Sequence, residues 1–217
     1  MAQRRPFVTI SFAQSIDGSL AARPGKPLPL SGPESSAYTH RLRAAHDAIL
    51  VGIGTVLSDN PRLTVRLAAG PHPQPIVIDS RLRFPDGAAL LSHPTHPVWI
   101  ATTAAAPKDR LTALGLAGAV ALALPADPSG RVSLPHLLDA LGARGIQRLM
   151  VEGGAAVITA FLSQGLADGL SVTIAPRLVG GVRALQSAFD APLRNPVWQT
   201  AGPDVILEAR LSDREDP

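Results

Sequence analysis

The sequence predicts an α/β domain with a mostly parallel central sheet flanked by helices. Short runs rich in Val and Ile recur along the chain, and most are apolar at consecutive rather than alternating positions, as strands covered on both faces require. Stretches of helical period separate several of these runs, and that alternation is the signature of parallel βαβ units. With 217 residues, 46% of them hydrophobic, the chain is long enough for one substantial core. A single domain over 1–217 is expected, with its core at about 6–211 and a short charged tail, SDREDP, that reads as frayed.

FVTISFA (7–13) is the first strand. The opening MAQRRPFVTISFAQSIDG offers an arginine pair, an apolar stretch and a small-residue site, as an export signal does. Its apolar part is short and broken by Thr9, Ser11 and Gln14, so it reads as a strand. A helix follows from Pro33 to His46, with Ser31-Gly32 as cap, Pro33 at the first position and Tyr38, Leu42 and Ala45 on one face. AILVG (48–52) is a strand ending in Gly52-Ile53-Gly54-Thr55, where Thr55 is expected to cap a short helix from Val56 to Ser58. PIVID (75–79), VWIATT (98–103) and AVALAL (119–124) are the next strands. Leu134, Leu137, Leu138 and Leu141 form an amphipathic helix that Gly142 or Gly145 ends. RLMVEGG (148–154) leads into a helix from Ala155 to Gln164, and LSVTIAP (170–176) and VILEARL (205–211) close the pattern. GPHPQP and LPADPSG read as surface loops, and no internal repeat is visible.

Composition excludes several functions. The formal charge is +3, yet the arginines are scattered and aromatics are only 4%, which is not a nucleic-acid footprint. No stretch reaches the roughly 20 apolar residues of a membrane helix, so a cytoplasmic protein with no membrane partner is expected. The absence of cysteine excludes disulfides, a thiol nucleophile and Cys-based zinc. The six histidines fit no His-x-Glu or His-Glu-x-x-His pattern, so no metal is expected, and no Gly-x-Ser-x-Gly elbow supports a serine hydrolase.

In parallel sheets, ligands bind beyond the carboxyl ends of strands, where glycines let phosphates approach a helix start. Two places have that form, Gly52-Ile53-Gly54-Thr55 and Glu152-Gly153-Gly154. Singly, each is as readily a tight turn that needs glycine for backbone reasons. As a pair in one sheet they favour a dinucleotide. The Gly-x-Gly-x-x-Gly fingerprint is absent, Leu57 standing three after Gly54, and Tyr38 has no lysine four residues on, so the fold differs from the familiar dinucleotide-binding ones. A third, weaker place is Asp79-Ser80-Arg81 with Ala101-Thr102-Thr103, where Ser80, Arg81 and nearby Arg83 suit the 2′-phosphate of NADP or are simply loop surface. Among charged residues, Arg43, Asp59 and Arg66 lie near the first glycine turn, as ligand contacts or as solvated surface. Glu152, at the end of the apolar run RLMV, must be paired, solvated by a cleft or shifted in pKa.

Taken together these residues resemble the reductase domain of riboflavin biosynthesis, found as the C-terminal half of a bifunctional pyrimidine deaminase-reductase and as stand-alone relatives. The resemblance runs from about Pro6 to Leu211. It is anchored by Ser15-Ile16-Asp17-Gly18, Asp59-Asn60-Pro61-Arg62-Leu63-Thr64-Val65-Arg66, Val77-Ile78-Asp79-Ser80, Val151-Glu152-Gly153-Gly154, Ile174-Ala175-Pro176 and Gly202-Pro203-Asp204-Val205. It implies a dihydrofolate-reductase-like fold, a homodimer, NADPH as cofactor, and reduction of the ribosylamino chain of a phosphorylated pyrimidine to ribitylamino. NADPH contacts are then expected from Ala13, Gly52, Gly54, Thr55 and Asp59, from Ser80, Arg81 and Thr102, and from the helix start at Gly153, Gly154, Ala155 and Ala156. Substrate contacts are expected from Ser31, Arg43, Leu63 through its backbone, Arg66 and Glu152, with Asp59 or Glu152, or an ordered water, managing the proton.

Two positions depart from the bifunctional pattern. Ser11 stands where many carry a lysine, as in stand-alone members, and Pro29-Leu30-Ser31 replaces Trp-Ile-Thr. The zinc deaminase half has no counterpart here. Two further functions fit less of the pattern: a dihydrofolate-like pterin reductase, which needs no arginine pair for phosphate, and a non-catalytic nucleotide-binding or dimerisation module.

Overall fold

The computed structural model describes residues 5–217. The export-like opening lies partly outside the described residues, since Arg4 of its arginine pair is not among them. The elements are β1 (Phe7–Ser15), β2 (Ser19–Ala21), α1 (Pro33–Ala44), β3 (Ala48–Gly52), α2 (Ile53–Asp59), β4 (Gln74–Ile78), a 3-10 turn (Ala89–Ser92), β5 (Trp99–Thr103) and α3 (Lys108–Leu116). There follow β6 (Val120–Leu124), α4 (Leu134–Gly142), β7 (Arg148–Gly153), α5 (Ala155–Ser163), β8 (Gly169–Ala175), β9 (Val182–Arg183), β10 (Arg194–Ala201) and β11 (Asp204–Arg210).

Nine strands form one sheet in the order β10-β11-β8-β1-β7-β3-β4-β5-β6. From β8 to β6 all neighbours are parallel, and β11 and β10 add an antiparallel edge. The consecutive apolar residues divide between two faces. Ala48, Leu50, Ile76, Leu149 and Val151 pack with the α4 leucines and with Ile158 and Phe161 of α5. Ile49, Val51, Val77 and Ile100 pack on the other side with Ile53 and Val56 of α2 and Leu114 of α3. The sheet is thus covered on both faces, which is why its strands read as runs rather than alternations.

Several expectations are corrected. Helix α1 ends at Ala44 and buries Ser35 and His40, while Ala45 is exposed and Tyr38 and Leu42 are half-buried. Helix α2 starts at Ile53 with Gly52 as N-cap and no side-chain cap, so Thr55 lies inside its first turn. Helix α3 and strands β2, β9 and β10 had no clear sequence signal: α3 buries only Leu114, and nearly all of β10 is exposed. The tail is tied down: Arg214 and Arg5 both donate to the buried Asp168, at 2.9 Å each, and Ser212 Oγ donates to it at 2.8 Å.

Two of the acidic residues in the family-like stretches hold the frame around the cleft. Asp204 at the start of β11 accepts from the Gly32 amide at 2.7 Å and the Ser35 hydroxyl at 2.5 Å, fixing the start of α1. Asp17 accepts from Ser15 and Ser19 hydroxyls and from the Val179 and Gly180 amides, tying the loop after β8 to the end of β1. Those donors hold its carboxyl well below the usual carboxylate range.

Candidate active site

Strands β7 and β3 are neighbours, but the chain leaves them in opposite directions: β3 continues to β4 on one side, whereas β7 connects to β8 on the far side of β1. Connections that diverge in this way open a crevice beyond the strand ends, the usual ligand position in a parallel sheet. The pairing also slips there. Ile49 pairs with Met150, Leu50 with Val151, and Val51 with Gly153, which leaves Glu152 as the extra residue. A bulge of this kind re-aims a side chain, and Glu152 lines the cavity at the crevice.

That cavity, about 660 Å³, is bracketed by the two glycine turns. Space is short at one glycine in each turn. A Cβ on Gly52 would stand 2.8 Å from Val157 Cγ2 of α5, and one on Gly154 would stand 3.2 Å from Thr55 Oγ1 of α2. Gly153 has φ 137°, a conformation side chains resist, and the Gly153–Gly154 peptide bond is cis. Gly154 caps α5 without a side-chain hydrogen bond, and Gly154, Ala155 and Ala156 at the start of this nine-residue helix line the cavity.

Beside Glu152 lies a cluster of cations. Arg43 Nε and Nη2 donate to the two Glu152 oxygens at 2.6 and 2.7 Å, and Arg43 Nη1 donates to the Thr64 carbonyl at 3.0 Å. Burial disfavours the Arg43 charge, but attraction to Glu152 and these hydrogen bonds outweigh it and raise its pKa. Arg66 Nη1 donates to Thr64 Oγ1 at 2.7 Å. Partial burial, then Arg43 and Arg62, lower the pKa of Arg66, so this group gains from an incoming anion. The segment is bent by Asn60 at φ 41° and Leu63 at φ 54°, and the Leu63 side chain is buried, which leaves its backbone as the reachable part.

Of the expected cofactor residues, Ala13, Gly52, Gly54, Thr55, Asp59, Gly154, Ala155 and Ala156 line the cavity, and Gly153 adjoins it. Ser80, Arg81 and Thr102 are not on its wall. The Ser80 hydroxyl accepts from the Val132 amide at 3.0 Å, and the Thr102 hydroxyl is buried with no hydrogen-bond partner. Asp79 is buried too, with neither oxygen closing a hydrogen bond; burial raises its pKa against nearby backbone amides of Arg81 and Phe84. Of the expected substrate residues, Ser31 and Glu152 line the cavity, Arg43 is joined to it through Glu152, and Arg66 lines a second cavity with Arg62 and His72. Asp59 ends α2 at the cavity, where the Ser58 hydroxyl donates to it. Sequence reasoning missed Arg23 and Lys26, which line the cavity from a proline-punctuated stretch before α1, and His40, whose polar neighbours Thr39 and Arg41 gave no hint of a role. Among the described residues no cluster of His, Asp or Glu is placed to hold a metal ion, and no helix is long and apolar enough to cross a membrane.

Comparison with known proteins follows the same outline. The family model described as the RibD C-terminal domain matches residues 6–207. The riboflavin biosynthesis protein RibD of Bacillus amyloliquefaciens is 36% identical over 224 residues, which cover 97% of this chain but 59% of that protein. The 2,5-diamino-6-ribosylamino-4(3H)-pyrimidinone 5′-phosphate reductase of Archaeoglobus fulgidus is 37% identical over 187 residues, covering 82% of this chain and 83% of that one. Among solved structures, the riboflavin biosynthesis reductase Rib7 of Saccharomyces cerevisiae superimposes with a TM-score of 0.78 at 29% identity, over 96% of this chain and 90% of that one. At the level of fold alone, dihydrofolate reductase of Enterococcus faecalis matches with a TM-score of 0.55 at 14% identity, over 95% and 97% of the two chains.

Proposed function

The chain belongs to the RibD C-terminal domain family, whose members here are named as reductases, and from that premise we propose an NADPH-dependent reduction of a phosphorylated aminopyrimidine. The ribosylamino side chain would become ribitylamino, with the diaminopyrimidinone form or its deaminated uracil equivalent as substrate. One observation carries the reading: the bulged Glu152, clamped by Arg43, stands in a cavity between two glycine turns and beside an arginine cluster that an anion would relieve.

The residues suit a dinucleotide. The start of α5, which has no side-chain cap, and the close approach allowed by Gly52 and Gly154 fit a pyrophosphate, with Thr55 and Asp59 at the same wall. Ser80, Arg81 and Thr102 belong to this reading only if the adenosine end of the cofactor reaches the ends of β4 and β5. When bound, NADPH supplies the hydride that reduces C1 of the ring-opened imine. The protein's own work is orientation. Arg66 and the backbone at Leu63 hold the phosphate, Arg43 fixes Glu152, and Glu152 presents its remaining lone pairs to substrate N–H groups. With Glu152 ionised against Arg43, Asp59 or an ordered water delivers the proton that the imine nitrogen takes up.

A homodimer accompanies this reading, supported by the edge strand β10, where Val197 and Trp198 are 57% and 59% exposed. A cytoplasmic location also follows, since a phosphate ester does not cross a membrane unaided. The test is NADPH consumption with the enzymatically generated pyrimidine phosphate in its deaminated and undeaminated forms, alongside dihydrofolate. Turnover of either pyrimidine supports the reading and identifies the form. Turnover of dihydrofolate alone, or cofactor binding without oxidation, would sink it.

A further inference from the structure

Two consecutive amides in the segment that carries Arg66 are held by histidine rings. The Val65 N–H donates to His72 Nδ1 at 3.1 Å, and the Arg66 N–H donates to His40 Nδ1 at 2.8 Å. Only a ring nitrogen without a proton accepts such a bond, so both imidazoles are neutral with Nδ1 bare. The residue before them is held as well, the Thr64 carbonyl accepting from Arg43. Residues 64, 65 and 66 are therefore pinned in turn by α1, by the loop ahead of β4, and by α1 again.

Each ring has its own support. His40 is 5% exposed within α1. His72 is braced by the segment before β5: His96 Nε2 lies 3.2 Å from the His72 carbonyl, the His96 amide donates to His93 Nδ1 at 3.3 Å, and the His72 and His93 rings meet edge to face at 5.7 Å.

On the reading that Arg66 meets the substrate's phosphate, we propose that His40 and His72 are positioning residues: two imidazoles that accept the Arg66 and Val65 amides and so fix the 64–66 backbone, and with it Arg66. Protonation of His40 would set its Nδ1–H against the Arg66 N–H. The groups facing His40 are Arg43 from α1, Arg66 from the held segment and Glu152 from β7. Burial first, then the two arginines, hold its pKa down to about 4, against the pull of Glu152. His72 faces His93 and His96, and shares a cavity wall with Arg62 and Arg66. Added positive charge is unwelcome at His40, which keeps its bond to the Arg66 amide closed at neutral pH.

The test compares full-length wild type with H40N, H40L, H72N and H72L. Asparagine returns an acceptor oxygen near the Nδ1 position, whereas leucine removes it. KM for the pyrimidine phosphate is expected to rise about tenfold in each leucine variant, the scale of one lost buried hydrogen bond. KM for NADPH should stay within about twofold, and the asparagine variants should recover most of the loss. A second readout needs no turnover: ring-nitrogen NMR of wild type should show an unprotonated Nδ1 at pH 7 in both histidines, and the Arg66 amide signal should shift as pH falls toward about 4, where His40 takes up a proton. Equal changes in both KM values, no rescue by asparagine, or a protonated Nδ1 would each overturn the proposal. If wild type fails to turn over the pyrimidine phosphate, the functional reading fails instead, and the NMR result still decides whether the clamp exists.

Discussion

Glu152 would be a costly residue at the end of a buried strand if Arg43 were absent. Both side chains are only 14% exposed, and both Glu152 oxygens are engaged by one guanidinium. A pair this enclosed stabilises little as a pair, yet breaking it leaves an uncompensated charge. Glu152→Gln is therefore expected to cost about 2–4 kcal/mol in urea unfolding and to lower turnover at least tenfold, while Arg43→Lys, which lacks the planar fork, should cost less stability but similar turnover. An equally stable Glu152→Gln variant would count against the pairing. Arg66 presents the opposite case. Among the described residues its side chain bonds only to Thr64, so Arg66→Ala should leave the urea midpoint almost unchanged and raise KM for the pyrimidine phosphate far more than KM for NADPH. An unchanged substrate KM would remove Arg66 from the phosphate site.

At the scale of elements, the gap between β3 and α5 depends on one missing methyl. The Cβ of a Gly52→Ala variant would press on Val157 Cγ2 at 2.8 Å, and valine is stiff at χ1, so the helix rather than the side chain must yield. A loss of about 1–3 kcal/mol is expected, with reduced cofactor affinity because the start of α5 lines the cavity. Adding Val157→Ala should restore part of both, measured as a coupling in a double-mutant cycle; simple additivity would show that the contact is not the cause. The same elements show what a sequence can reveal. AILVG and RLMVEGG were legible because burial on both faces leaves a continuous apolar run, and their glycine turns stood out for the same reason. Strand β10 was illegible because an exposed edge strand containing Pro196 carries no such run, and α3 because it buries a single leucine. The bulge at Glu152 is a matter of register between strands about a hundred residues apart, which no local pattern encodes. His40 was hidden likewise: its partner amide lies 26 residues on, and nothing near it in the chain distinguishes it from a surface histidine.

For the molecule as a whole, the histidines set how stability responds to acid. Burial lowers His40 and His93 from 6.5 to about 4, reinforced at His40 by Arg43 and Arg66, and burial lowers His46 as well. In that interval the folded chain binds fewer protons at these sites than the unfolded chain, so each step down in pH favours unfolding. The contribution is fully present above about 6.5 and is lost as pH falls toward about 4. Asp79 acts in the other direction, since burial raises its pKa and acid then favours the folded state, but it is one group against three. Asp17 and Asp127, whose hydrogen bonds depress their pKa, lose their contributions only as pH falls below 3.8, after most of the histidine effect has run its course. The urea midpoint is therefore expected to be flat above pH 7, to fall between pH 6.5 and 4, and to fall again below 3.8. His40→Asn should flatten the upper step, because the acceptor it keeps does not titrate in this range. An identical fall from pH 6.5 to 4 in wild type and His40→Asn would mean that this ring is protonated in the folded chain, and the hold on Arg66 would then have to be sought elsewhere than in His40.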